Sequence, residues 1–224
     1  MSIATLILGE SGSGKSCSLR NLLPEKTLLI QSVKKPLPFP AQKWGYFDRE
    51  SNPGGNIFAN DNAREITKIM RRTKREIIVL DDFQYILANE FMRRVLDKET
   101  GNAAFAKYNE IARNAWDILM EAGQLAEDKR VYILGHSQEN ENGRIKAKTI
   151  GKLLDDKITL EGLVTIVLRT AVINGNYFFS TQNNGMDTVK SPLGMFDSEH
   201  VENDLAEVDK TITSYYSMEI THDS

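Results

Sequence analysis

Eight residues near the N-terminus, Gly9-Glu10-Ser11-Gly12-Ser13-Gly14-Lys15-Ser16, set glycines, a lysine and a hydroxyl at the spacing G-x-x-x-x-G-K-[ST] without a mismatch. Chance gives such a match on the order of once in a hundred chains of this length. The chemistry that the spacing suits is the holding of a nucleotide's phosphates. Glycines at 9, 12 and 14 let the backbone turn tightly and aim N–H donors at phosphate oxygens, where side chains would block the approach. Lys15 is expected to reach the β- and γ-phosphates and the Ser16 hydroxyl to sit on Mg²⁺, so ATP with Mg²⁺ is the expected cofactor pair. Cys17 directly follows and completes the expected nucleotide-contacting stretch, Gly9 to Cys17; its thiol is read as structural.

A second group of polar residues is spaced to meet the first. Ile77-Ile78-Val79-Leu80 runs into Asp81-Asp82, four apolar strand formers ending in two carboxylates. In sheets of this kind ligands bind at the carboxyl ends of parallel strands, which places Asp81 beside the phosphate loop as a holder of the Mg²⁺ shell. Asp82 has two readings, a base that polarises the attacking water or a cap for a helix beginning near Phe83. Arg130-Val131-Tyr132-Ile133-Leu134-Gly135 repeats the pattern and ends in His136-Ser137-Gln138. His136 is either a sensor of the γ-phosphate or a hydrogen-bonded structural residue.

Several elements must position these groups. Ile3 to Leu8 and Thr27 to Gln31 are short apolar runs that fit buried strands, and Ser16 to Leu23 is expected to be a helix ended by Pro24. Residues 32 to 56 carry four of the six prolines together with Trp44, Tyr46 and Phe47, a long irregular excursion. Its Lys34, Lys35 and Lys43 beside aromatics suit either a nucleic-acid surface or a plug over the sheet edge. Asp61 to Arg75 has helical spacing with Asp61 as N-cap and a basic outer face; Phe83 to Leu96 and Ala103 to Ala122 are also helical. Glu139 to Lys152 reads as a mobile basic loop whose Arg144, Lys146, Lys148 and Lys152 suit the phosphates of a nucleic-acid strand. Gly162 to Leu168 is a strand, and Thr170 to Asn174 with Tyr177 to Thr181 forms a β-hairpin around Asn174-Gly175-Asn176. From Asp197 to Asp209 six acids occur with no Lys or Arg, so residues 196–224 are expected to be a solvated acidic helix and frayed tail.

The bulk properties fit one domain over residues 1–224, with 41% hydrophobic residues sufficient for a full core. A net charge of −3 argues against coating nucleic acid by bulk electrostatics. The single cysteine excludes an internal disulfide and fits a reducing compartment. No apolar run reaches the ~20 residues of a membrane span, so a soluble, cytoplasmic protein is expected.

The order of phosphate loop, acidic strand end, polar strand end at His136, basic loop, strand and hairpin resembles the RecA-like P-loop ATPase core. The resemblance implies an α/β fold with a mostly parallel central sheet, flanking helices and a C-terminal antiparallel hairpin. The layout, with stretches such as Asn174-Gly175-Asn176-Tyr177 and Ser180-Thr181-Gln182-Asn183-Asn184-Gly185, is similar to phage recombinases that have a minimal RecA core and anneal single strands. This implies an ATPase that assembles on single-stranded DNA as a ring or filament with nucleotide at subunit interfaces, in the host cytoplasm, with a single-strand-binding protein as a further candidate partner. Lys190-Ser191-Pro192 resembles the Lys-x-Arg that reaches the neighbouring subunit's nucleotide in ring-forming members, with Pro192 in place of the arginine. Either Lys190 acts alone in trans or that contact lies elsewhere. The glutamate of RecA at the end of the second strand is replaced by Gln31-Ser32, which makes Asp82 the substitute base or the enzyme a slow hydrolase. A DNA-independent ATP switch of the helicase-loader kind and a small-molecule phosphotransferase are the alternatives.

Overall fold

A computed structural model describes residues 1–96, 102–150 and 158–218. Its centre is a nine-stranded sheet in the order β3-β2-β4-β5-β1-β7-β8-β9, with β6 paired to β5 off this path. The strands are β1 (Ile3–Gly9), β2 (Thr27–Gln31), β3 (Ile57–Ala59), β4 (Ile77–Asp81), β5 (Arg130–Glu139), β6 (Ile145–Ala147), β7 (Ile166–Ile173), β8 (Asn176–Ser180) and β9 (His200–Glu202). From β3 to β7 every pairing along the path is parallel, and β8, β9 and β6 are antiparallel members. The expected mostly parallel α/β sheet with antiparallel strands at its end is therefore what the chain forms.

The apolar runs read as strands because both sheet faces are covered. Leu6, Leu8, Leu28, Ile30, Ile78, Leu80, Val131 and Ile133 face the helices α1 (Ala63–Arg72), α2 (Phe83–Arg93) and α3 (Asn102–Gln124). The alternate residues Ile7, Leu29, Val79, Tyr132 and Leu134 face a second core with Leu19, Leu22 and the C-terminal helix α4 (Leu205–Tyr215). Period-two alternation thus feeds two cores from one sheet. The hairpin turn between β7 and β8 has φ 52° at Asn174 and 79° at Gly175. Two consecutive positive values are what Asn-Gly accommodates best.

Four expectations need correction. The segment after the phosphate loop is a 3-10 helix, Ser16–Asn21, because Pro24 leaves no room for several α-turns. α1 is capped by Asn62, whose side chain accepts from the Arg64 and Glu65 amides, while Asp61 binds Asn89 and Arg93 instead. Residues 139–150 are built around strand β6, with the Arg144 guanidinium donating to the Asp187 carbonyl at 3.2 Å, rather than a mobile loop. Of the two readings of the excursion over 32–56, the plug over the sheet edge is the one formed: Trp44 and Tyr46 pack on the second core. Finally, α4 is no solvated helix, since Leu205, Val208 and Ile212 are core residues. No helix among the described residues is long and apolar enough to cross a membrane.

Candidate functional site

The parallel register brings the carboxyl ends of four strands together. Gly9 at the end of β1 lies opposite His136 in β5, and Asp81 at the end of β4 lies opposite Gln31 in β2. Over these ends runs the glycine loop, where Gly12 and Gly14 have φ of 78° and 97°. Glycine is needed at 14 for a second reason, since a Cβ there would come within 3.0 Å of both Asn203 Oδ1 and Tyr177 Cδ1. At Gly9 the requirement is close approach, because a Cβ would overlap the Thr170 hydroxyl of β7.

Beside the loop opens a cavity of about 800 Å³ lined by Lys15, Ser16, Lys35, Asp82, His136 and Tyr177, among others. Ser11, Gly12, Gly14 and Cys17 also border it. Lys15 is buried and donates to the carbonyls of Gly9 at 2.8 Å and Glu10 at 2.7 Å. Burial lowers its pKa from the ordinary lysine value. The Ser13 hydroxyl donates to the Glu10 carbonyl and fixes the turn at 2.6 Å. The Ser16 hydroxyl lies 3.0 Å from each oxygen of Asp81, which is fully buried. Burial, with Asp82 alongside, pushes the Asp81 carboxyl up to about 7.

Asp82 is buried and ionised against a specific cation. Burial alone would raise its pKa, yet Lys35 Nζ at 2.7 Å holds it below the ordinary carboxylate value. The same ammonium lies 3.9 Å from Asp81, and His136 Nε2 lies 3.9 Å from Asp82 on the other side. Burial and then the nearby Lys15 lower the His136 pKa. Asp82 does occupy the position before α2, but its side chain makes no cap hydrogen bond and it lines the cavity.

Lys35 was not singled out by sequence for this site. It lies in the irregular excursion, and only the fold carries it to carboxylates nearly fifty residues on. The signal was tertiary: the Gln31 amide donates to the Lys35 carbonyl at 3.2 Å, and Tyr46 donates to the Gln31 side chain at 2.8 Å. The far wall, from the hairpin and β9, was likewise unforeseen. Tyr177 and Asn203 stand against Gly14, and Arg20 reaches the Asn203 carbonyl at 2.5 Å and Glu202 at 3.1 Å.

A Mg²⁺ site fits the donor set, a hydroxyl and a buried carboxylate in contact, since this ion takes one or two protein oxygens and completes its shell with phosphate and water. Groups of three or more acidic, His or Cys side chains that could hold a metal unaided are absent among the described residues.

The remaining expected residues lie apart. Lys190 exchanges both backbone hydrogen bonds with Val167 near the start of β7 and does not line this cavity. Arg144, Lys146 and Lys148 lie on and beside β6, and the Lys148 amide donates to the His136 carbonyl at 2.8 Å. Lys152 is outside the described residues.

No protein-family profile and no curated protein sequence matches the chain. Among solved structures it is similar to the KaiC-like protein PH0186 from the hyperthermophilic archaeon Pyrococcus horikoshii OT3, with a TM-score of 0.40 and 12% identity over 79% of this chain and 77% of that one.

Proposed function

We propose that this chain is a RecA-like ATPase that binds Mg-ATP on Gly9 to Ser16 and couples hydrolysis to single-stranded DNA, as a recombination protein that anneals or pairs strands. One observation carries the reading: Ser16, which lines one cavity with Lys15, Asp82 and His136, donates to the buried Asp81 behind it. Ser16 and Asp81 would hold the Mg²⁺, which when bound would neutralise charge on the phosphate oxygens. Lys15 leaves the loop carbonyls for the β- and γ-phosphates. Asp82 orients water and takes its proton, and His136 faces the same space.

The link to nucleic acid runs through β5. Cations on and beside β6 attract a phosphate backbone, and the Lys148 amide is bonded to His136 itself, so a strand bound there acts directly on a residue of the nucleotide cavity. Oligomers with nucleotide at their interfaces, and a trans role for Lys190, belong to the same proposal.

The test is ATP hydrolysis with and without single-stranded DNA at low salt. We expect stimulation of several-fold that fades as salt rises, and loss of all hydrolysis in Lys15→Ala. Hydrolysis that depends on Lys15 but ignores DNA would leave a DNA-independent ATP switch. Transfer of labelled γ-phosphate to a small acceptor would make the chain a phosphotransferase.

A further inference from the structure

Lys35 is the cavity residue that neither the phosphate loop nor the strand-end acids explain. Its ammonium stands between Asp82 at 2.7 Å and Asp81 at 3.9 Å. The Asp81 oxygen nearest to it is also 3.0 Å from the Ser16 hydroxyl. The cation is therefore one carboxylate away from the place where a nucleotide's terminal phosphates meet the loop. It is also within electrostatic reach of Lys15, so two lysines and two aspartates balance one another in one cleft.

The two halves of Lys35 are held differently. Its backbone is anchored by the Gln31 amide, which is bonded in turn to Tyr46. Its side chain is 38% exposed, whereas those of Asp81 and Asp82 are 0% and 5% exposed. The carboxylates are fixed, and the long aliphatic arm is the part free to turn. Neighbouring Lys34 is directed elsewhere, with its ammonium 4.5 Å from the centre of the Tyr46 ring.

We propose that Lys35 reads the γ-phosphate: in the nucleotide-free protein it is the counter-ion of Asp82, and it exchanges that carboxylate for the terminal phosphate when ATP, but not ADP, is bound. The exchange is an ion-pair swap in which no bond is made or broken. A third phosphate brings an anion with more charge and more acceptor oxygens than one carboxylate, and charge-assisted contacts of this kind are the strong ones. Leaving Lys35 on Asp82 would keep the proposed base occupied, so the swap also frees Asp82 in the ATP state alone. The inference rests on the nucleotide-site reading above and names the residue that discriminates between the two nucleotides.

The experiment is calorimetric titration of the full chain with a non-hydrolysable ATP analogue and with ADP, each with Mg²⁺. Lys35→Met is expected to weaken the ATP analogue about tenfold or more while leaving ADP within about twofold, which removes roughly 1.4 kcal/mol of discrimination. Lys35→Arg should keep most of the preference, and Lys34→Met should keep all of it. Asp82→Asn should tighten the analogue several-fold more than ADP, because Lys35 then leaves only Asp81, at 3.9 Å, for the terminal phosphate; a merely structural ion pair would shift both nucleotides alike. Equal losses for both nucleotides in Lys35→Met, or no change in either, would overturn the proposal while leaving the nucleotide site standing. A wild-type protein that binds neither nucleotide would overturn both.

Discussion

Asp81 is a carboxylate with no solvent exposure, in contact with one hydroxyl and flanked by a second acid, and burial pushes its pKa up to about 7. The sign of its effect on stability is the reverse of the common case. Its folded pKa lies above the ordinary 3.8, so the native state binds the proton more tightly than the unfolded chain. Native stability therefore falls as pH rises from near 4 through about 7, and above that the penalty is complete. In nucleotide-free, Mg²⁺-free protein, Asp81→Asn should remove the penalty. The expected gain at pH 8 is on the order of 2 kcal/mol, or roughly 4–8 °C in melting temperature, shrinking towards pH 4. The same variant should lose Mg²⁺-dependent nucleotide binding, a trade of function for stability. Thermal melts at the two pH values check it; a variant that is less stable than wild type at pH 8 would mean that Lys35 and Ser16 already stabilise the ion fully.

At the scale of elements, the phosphate loop is held to β7 as well as to its own strand. Ser13 Oγ and Thr170 Oγ1 are 2.6 Å apart, and Thr170 donates to the Leu8 carbonyl at 3.3 Å. Gly9 sits under this pair, and an added Cβ would lie 2.6 Å from Ser13 Oγ and overlap the Thr170 hydroxyl. Gly9→Ala should therefore cost about 2–3 kcal/mol by overpacking, and Thr170→Ala about 1 kcal/mol. The double variant should be more stable than the sum predicts by at least about 1 kcal/mol, since the second change clears the space that the first one needs. Denaturant unfolding of the four proteins measures that coupling, and strict additivity would mean that the loop relaxes away from β7. Which elements could be read beforehand follows from the same geometry. β1, β2, β4 and β5 are buried on both faces and stand out as apolar runs, and Asn174-Gly175 announces the hairpin. β3, β6 and β9 have three residues each, too few for any periodicity. The loop, Asp81, Asp82 and His136 were legible because each follows a strand or glycine pattern. Lys35, Tyr177 and Asn203 reach the cavity only through the chain's return, which no local pattern encodes.

Across the whole molecule, the last helix ties the sheet's amino end to the nucleotide loop. Asp209 of α4 accepts from Arg130 at 3.0 and 3.1 Å and from the Tyr132 hydroxyl at 2.5 Å, all in buried surroundings. At the N-cap of α4, the Asp204 carboxylate accepts from Asn21 at 2.5 Å, and Leu205, Val208 and Ile212 share a core with Leu19 and Leu22 of the segment after the phosphate loop. Six acids without a Lys or Arg read as a solvated tail because the partners of Glu202, Asp204 and Asp209 are some eighty or more positions away. Removing the Asp209 carboxylate takes the acceptor from the buried Tyr132 phenol and leaves the buried Arg130 guanidinium with only Glu76 at 3.4 Å and the Asp128 carbonyl at 2.8 Å, and breaking a buried pair by removing one partner costs about 3–5 kcal/mol. Against a typical total of about 5–15 kcal/mol this is a large fraction, and the melting temperature of Asp209→Ala should fall by roughly 6–20 °C. Asp209→Asn keeps an acceptor for Tyr132 and should fall less. Because α4 packs on Leu19 and Leu22, Asp209→Ala should also weaken nucleotide binding at temperatures where the protein remains folded, although Asp209 does not line the cavity. Melting curves with nucleotide titrations on the same samples test both parts. Lowered stability with unchanged affinity would mean that the Asp209–Arg130 contact can loosen while Asp204 at the N-cap still holds the loop.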